Sequence, residues 1–316
     1  MAATIGQCLE AAFSSDYENF EIVVVDDHSD DSSAEIIKKF PCKLISLESR
    51  GGTSKARNTG AMNSRGDILF FTDADCLLER DTLSIVNRTF SETAPDVLLG
   101  GTYTRMPFDR TFFGIFQSVF VNYSETKNVK NPDYIAAHAM IIDAGTFETS
   151  GGFPEDFLPI IEDVEFSHRL RRAGCKLVMN PEIQVQHIFH FSLLKSLRNA
   201  YRKTKYWNMY SLKNKDVFTD SGSASVELKT NVVSYFLAIF LIVLFVLFNK
   251  TVFLYPLPVV FMFNIFINRG LLKAFHETGG ILFAGLASLY YMMLYPLPIG
   301  MGTLTALMKY VLNSTR

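Results

Sequence analysis

Two rhythms of apolar and polar positions run along the first 190 residues. Short β-branched or aromatic runs at 21–25 (EIVVV), 43–47, 67–72 (DILFFT) and 97–101 predict strands. Between them, residues 3–13, 32–40, 54–64 and 81–90 repeat apolar positions at helical spacing. In the first, Ile5, Cys8, Leu9 and Ala12 share one face. A further helix is predicted to open at Glu162 and Asp163, and a strand at 183–188. Strands alternating with helices predict an α/β domain with a doubly wound sheet covered on both faces. Several runs are apolar throughout and end in carboxylates, the pattern of parallel strands with ligands at their C-terminal edge. Residues 102–132 are weakly patterned and read as loop.

Beyond residue 190 the rhythm is lost. No charged residue occurs in 231–249, 251–268 or 278–308. A bilayer core of roughly 30 Å takes about 20 helical residues, so the first two stretches are predicted to span once each. The third is too long for one perpendicular span and is predicted to tilt, or to break near Pro296 and Pro298. Lys250 alone separates the first two, which predicts a tight hairpin; Arg269 and Lys273 occupy the second gap.

Charge sharpens this division. The net charge of −2 is the sum of unlike parts. Residues 1–187 hold 17 Lys and Arg against 28 Asp and Glu, residues 188–230 hold 8 against 3, and residues 231–316 hold 5 against 1. An acidic head, a basic neck and a nearly uncharged tail describe a folded domain tied to a membrane, its basic neck on the cytoplasmic side. An acidic head excludes a nucleic-acid binder, which needs a positive field. The 48% apolar composition excludes a disordered chain, and four Cys without a paired spacing exclude a disulfide scaffold or zinc ribbon. In the neck, Lys195, Arg198, Arg202, Lys203 and Lys205 interleave with Leu194, Leu197, Tyr201 and Trp207. That pattern suits an interfacial helix meeting anionic headgroups or a lipid-linked phosphate, and equally a helix packed on the head.

Candidate chemistry sits at strand ends. Asp26 and Asp27 follow the first predicted strand, and Asp73-Ala74-Asp75 follows the third. Two carboxylates two residues apart suit one hard divalent cation that also takes phosphate oxygens, although an isolated D-x-D is more often a solvated turn. The segment GGTSKARNTG at 51–60 is a glycine-rich helix start whose N–H groups favour an anion, with Arg57 able to meet a phosphate. Glu162 and Asp163 suit either helix capping or a general base. His187 suits either a structural role or a metal ligand.

Taken in order, "ATIGQCLEAAF", "FEIVVVDDHSDD", "GGTSKARNTGAMNSRGDILFFTDADC", "SGGFPEDFLPIIEDVEFSHRLRRAGCKL" and "NPEIQVQH" resemble a family 2 glycosyltransferase of the GT-A fold, over roughly residues 2–190. The resemblance implies sugar transfer from a nucleoside diphosphate sugar to an acceptor hydroxyl, with inversion and with Mg²⁺ or Mn²⁺. It places Asp26, Asp27, Arg57 and Asp73 around the nucleotide sugar and Asp75, Asp73 and His187 around the metal. Asp163 becomes the catalytic base, assisted by Glu162. The division expected is a catalytic domain at 1–190, an interfacial neck at 191–230 and a membrane domain at 231–316, with spans near 231–249, 251–268 and 279–308. The partners expected are a nucleoside diphosphate sugar, a lipid-linked or membrane-proximal acceptor and the bilayer. Two departures stand out. The apolar strand with which the family opens is not found before the first helix, which leaves a non-catalytic copy of the fold as the alternative. Residues 203–207 (KTKYW) also lack the Q-x-x-R-W of processive synthases, so transfer of a single sugar is expected.

Overall fold

The computed structural model describes residues 2–93, 96–215, 220–222 and 224–314. They form two compact units, one of Met1–Gly114 with Glu125–His190 and one of Ile115–Ser124 with Phe191–Arg316. The first unit runs α1 (Ala2–Phe13), β1 (Val23–Asp26), α2 (Ser33–Ile37), β2 (Lys43–Ser46), α3 (Gly52–Met62), β3 (Ile68–Phe71), β4 (Cys76–Leu78), α4 (Thr82–Ser91) and β5 (Val97–Tyr103). Helix α5 (Phe112–Thr126) follows, then β6 (Met140–Asp143), α6 (Ala144–Thr149), α7 (Glu162–Arg172) and β7 (Lys176–His187).

β1 and β2 pair in parallel, and five further strands lie in the order β3-β6-β5-β7-β4. Only β5 and β7 are parallel in that sheet, so it is mixed where the sequence suggested parallel strands. The cause is a short link. Residues 72–75 are too few for the crossover a parallel pair needs, so β4 pairs antiparallel with β7. The same link fixes the curvature. Five Cα steps from Phe71 to Cys76 reach at most about 18 Å, whereas four spacings of a flat sheet measure roughly 19 Å. The sheet therefore curls, and the segment that closes its two edges is the one carrying Asp73 and Asp75.

Alternation along the strands divides the core. Leu98, Met140 and Ile142 face Phe147, Phe153 and Phe166 beneath α6 and α7, while Val97, Leu99 and Ile141 face Val86 of α4. A third cluster packs Ile5, Leu9 and Ile37 under β1 and β2 and takes in Ala74. β7 runs through Pro181 because the register shifts there, from Gly100 opposite Met179 to Thr102 opposite Gln184. The bulge brings backbones so close that a Cβ on Gly101 would lie 2.4 Å from the Ile183 carbonyl oxygen.

The second unit holds the Ile115–Ser124 part of α5 with α8 (Leu193–Asn214), α9 (Val226–Phe248), α10 (Leu257–Leu289) and α11 (Pro296–Ser314). Segment 102–132, read as loop, thus contains a helix. α5 buries the polar Gln117, Ser118, Asn122 and Ser124 along with its apolar residues, so no apolar stripe betrays it, and in this unit Phe116 packs on Phe275, Tyr290 and Tyr295. Two helical stretches, Val226–Phe248 and Thr251–Leu312, are long and apolar enough to cross a membrane. The gap at Arg269 and Lys273 is not a break. Arg269 lies over the Phe266 ring and Lys273 pairs with Glu277 one turn on, so both charges sit on a continuous helix. The interruption falls instead at Gly280, whose φ of 74° only glycine adopts readily, and at a π-turn over Tyr290–Leu294 just before Pro296. Inside the unit, Asn264 donates to Asn231 (2.9 Å), Asn268 to Asn264 (2.8 Å), Tyr291 to Asn268 (2.9 Å) and Asn231 to the Tyr291 carbonyl (2.7 Å).

Candidate active site

Arg57 organises the acidic groups of the first unit. It stands on α3, whose start is held by Asp27: the two carboxylate oxygens accept from Gly51 N–H (2.6 Å) and Gly52 N–H (2.9 Å). The helix start read as an anion site is therefore filled by the chain's own carboxylate. The side chain of Arg57 reaches Asp73 at 2.8 Å and Glu162 at 2.5 Å and lies over the Phe153 ring. Burial works against its charge, but Asp73, Glu162 and Asp163 outweigh that and hold its pKa above the ordinary arginine value. One cation thus ties the strand-end link to the first turn of α7.

The DAD link is anchored from below. Ala74 packs into the α1–β1–α2 cluster with the two aspartates flanking it. Burial raises the Asp73 carboxyl, yet Arg57, His138 and His187 overcome this and keep it below its usual range. Asp75 behaves oppositely: burial and the nearby Asp73 push it up to about 6. Its Oδ1 lies 3.5 Å from His187 Nε2, because the β4–β7 ladder sets Cys76 opposite His187. Asp75, Cys76 and His187 bring their ligand atoms within 4.8 Å of one another, whereas Asp73 is engaged by Arg57. The donors fit a hard divalent cation. A carboxylate and an imidazole suit Mn²⁺ or Mg²⁺, two crowded carboxylates need positive charge nearby, and burial holds the Cys76 thiol far above its usual pKa and so protonated.

Asp163 stands one residue past the Glu162–Arg57 pair. Ile161, before them, sits in the left-handed region (φ 69°), unfavourable for a β-branched side chain, and this kink aims the first turn of α7. Asp163 accepts from Ala137 N–H (3.2 Å), and Ser167 of the same helix exchanges hydrogen bonds with Ile135 N–H and C=O. Burial and the adjacent Glu162 push Asp163 up to about 6, against the pull of Arg57, the Ala137 N–H and His138. A carboxylate held near 6 is poised to accept a proton close to neutral pH.

Geometry therefore joins Arg57, Asp73, Glu162 and Asp163, and joins Asp75 to His187 beside them. Asp26 and Asp27 stand at the end of the two-stranded sheet, where Asp26 accepts from Ser29 N–H (3.2 Å) and Asp27 caps α3.

The family model described as Glycosyl transferase family 2 matches residues 2–142. Those residues are a family 2 glycosyltransferase domain. Glycosyltransferase GlyA of Streptococcus pneumoniae is 30% identical over 158 residues, 45% of this chain and 23% of that protein. Glycosyltransferase AglE of Haloferax volcanii is 28% identical over 189 residues, 58% of this chain and 62% of that protein. The chain thus spans less than two thirds of either relative. The mannosyltransferase PcManGT of Pyrobaculum calidifontis, solved with GDP-Man and Mn²⁺, superposes with a TM-score of 0.56 at 18% identity, over 96% of this chain and 84% of that one. That likeness gives the domain its GT-A fold.

Glu162, Asp163 and His187 lie beyond the segment matched by the family 2 glycosyltransferase model. The sequence reading also missed His138. It is buried in the turn before β6, stacks on Tyr103 at 3.9 Å, and sets Nε2 3.4 Å from Glu125, which accepts from Thr102. It pulls Asp73, Asp75 and Asp163 alike downward. A histidine inside AAHAM carries no signal except that a run of small residues leaves its ring room to bury.

Proposed function

We propose that this glycosyltransferase moves one sugar, with inversion, from a nucleoside diphosphate sugar to a hydroxyl of a lipid-linked or membrane-proximal acceptor. The observation that carries the proposal is the double ion pair of Arg57, which gathers the DAD link and the Glu162–Asp163 turn around one centre. PcManGT was solved with a GDP sugar and Mn²⁺, so a purine or pyrimidine diphosphate donor is the class to test.

Asp163 takes the proton of the acceptor hydroxyl as its oxygen attacks the anomeric carbon from the face opposite the departing diphosphate. One displacement inverts the configuration and needs no covalent sugar intermediate. Asp75 and His187, with Asp73 beside them, would hold Mg²⁺ or Mn²⁺, which supplies charge to offset the leaving diphosphate. Arg57 orients Asp73 and Glu162 beside the base. Asp26 and Asp27 line the nucleotide side, Asp27 through the α3 start that it fixes.

The apolar helices carry the chain through a bilayer more than once, with the catalytic unit in the cytoplasm of a cell-envelope membrane. The polar network supports a common side for the basic groups. Asn264 meets Asn231 near the start of α9, so Arg269 and Lys273 fall on the side from which α9 departs.

The test uses the full chain in nanodiscs with UDP- and GDP-sugars, Mn²⁺ and membrane-lipid acceptors. Expected are release of nucleoside diphosphate and a product of inverted anomeric configuration, both lost in Asp163→Asn and Asp75→Ala. Release that survives both substitutions, or a product of retained configuration, would overturn the proposal.

A further inference from the structure

β7 ends at His187, and one further backbone bond, from Ile188 N–H to the Asp75 carbonyl (2.9 Å), continues its ladder with β4. Phe189 and His190 lie past that point. Residues 104–111, which the proposed function leaves without a role, hold them. Thr104 N–H donates to the Val185 carbonyl (3.0 Å) and Phe108 N–H to the His187 carbonyl (3.1 Å). The Asp109 carboxylate then accepts from Phe189 N–H at Oδ1 (3.0 Å) and from His190 N–H at Oδ2 (3.1 Å). Thr111 Oγ1 donates to the same carboxylate (3.1 Å) and accepts from Gly114 N–H (3.1 Å), so the carboxylate is itself held. Two residues beside these bonds, Arg110 (φ 39°) and His190 (φ 46°), sit in the left-handed region, which residues other than glycine keep where the surroundings impose it.

The consequence falls on His187. Phe189 lies flat on its imidazole, the ring centroids 3.9 Å apart and the planes 13° from parallel. Tyr103 meets the same imidazole edge to face at 4.9 Å, and meets Phe189 at 5.7 Å. One ring on its face and one at its edge restrict the imidazole to the plane that sets Nε2 3.5 Å from Asp75 Oδ1. Tyr103 is fixed by β5, and Phe189 by the turn that Asp109 ties. We propose that Asp109 is a positioning residue of the metal centre: its two backbone bonds hold Phe189 on His187 and so hold the imidazole toward Asp75. Outer groups that orient a metal-binding histidine set metal affinity by about 10–100-fold. Asp109 acts one contact further out, which places its effect at about tenfold.

The inference rests on the reading of Asp75 and His187 as metal ligands, and its test reads metal binding, not transfer. The full chain in phosphatidylcholine nanodiscs is titrated with Mn²⁺, with and without UDP or GDP. Free Mn²⁺ is read from its electron paramagnetic resonance signal, and bound Mn²⁺ from the spin-echo modulation of an imidazole nitrogen. Asp109→Asn keeps the shape but turns an NH₂ toward one of the two N–H donors, so one bond is lost. Its Kd for Mn²⁺ should rise about tenfold, and the nitrogen modulation should weaken. Phe189→Leu keeps both backbone bonds and removes the ring; it should act in the same direction, and it decides the matter if Asp109→Asn does not fold. A purely structural Asp109 would lower the unfolding temperature alone. Wild-type Kd and modulation in either folded variant overturn the inference. In His187→Ala the modulation should vanish. A wild type without nitrogen modulation, or a Kd unmoved by both Asp75→Ala and His187→Ala, would instead overturn the metal reading on which the inference stands.

Discussion

Replacing Arg57 by Gln removes the guanidinium that faces Asp73, Glu162 and Asp163. Breaking a buried ion pair by deleting one partner costs about 3–5 kcal/mol, because the other charge stays buried and unpaired. Here the low end applies: Glu162 is nearly covered, but Asp73 keeps 35% of its side chain exposed and water screens it in part. A loss of about 3 kcal/mol in a domain of 150–250 residues lowers Tm by roughly 6–12 °C. The pH dependence identifies the cause. Asp163 has a folded pKa raised to about 6, so the cost of burying its charge is full above that value and fades as pH falls through it. Without Arg57 the pull on Asp163 and Asp73 is gone, both carboxyls rise, and the penalty grows at alkaline pH. Thermal unfolding of wild type and Arg57→Gln in nanodiscs should thus show a gap that is widest near about pH 8 and narrows near about pH 5. Arg57→Lys should recover only part of it, since an ammonium lacks the fork that meets two carboxylates at once. A gap of equal size at both pH values would mean that Arg57 serves by packing on Phe153, and the electrostatic account of the centre would be wrong.

Asp163→Asn should lower transfer about 10²–10⁴-fold while raising the unfolding temperature near neutral pH, since the buried charge is gone, and the wild-type rate should fall as pH drops through about 6, where the base becomes protonated; a rate flat down to pH 4.5 would remove Asp163 from that role. His138→Phe keeps the stack on Tyr103 but removes a group that lowers Asp75 and Asp163, so the acid limb of the rate profile should move to higher pH, and an unmoved limb would reduce His138 to packing. Gly101→Ala drives a Cβ against the Ile183 backbone and should cost about 1–3 kcal/mol in denaturant unfolding. Asn264→Leu breaks the chain from Asn231 to Tyr291 and should cost about 0.6–1.7 kcal/mol in unfolding from lipid, with loss of nothing measurable refuting the network's structural role.

What the residues disclosed on their own follows from how each feature is built. Strand ends were legible because an apolar run followed by carboxylates is a local pattern, and it set Asp73 and Asp75 beside a sheet without any tertiary knowledge. The convergence of Glu162 with Arg57, 105 positions apart, was reached only through resemblance, since no spacing encodes a salt bridge across a sheet. The start of α3 misled for a related reason. Its glycines do present N–H groups, but whether they greet a ligand or Asp27 depends on a strand end 24 residues earlier. α5 escaped because it buries polar residues along with apolar ones and so shows no stripe, and the first part of β7, ahead of the predicted 183–188, because a bulge lets a strand pass through Pro181. The break at Gly280 escaped because charges at Arg269 and Lys273 looked like a polar loop, while a helix tolerates them if an aromatic ring or a partner one turn away receives them. In each case the local signal was true and its partner was distant. The curled sheet states this most directly: the four-residue link that carries the DAD motif is also the clasp between its first and last strands, so lengthening that link would relax the curl and part Asp73 from Asp75, while the β4–β7 ladder keeps Asp75 beside His187.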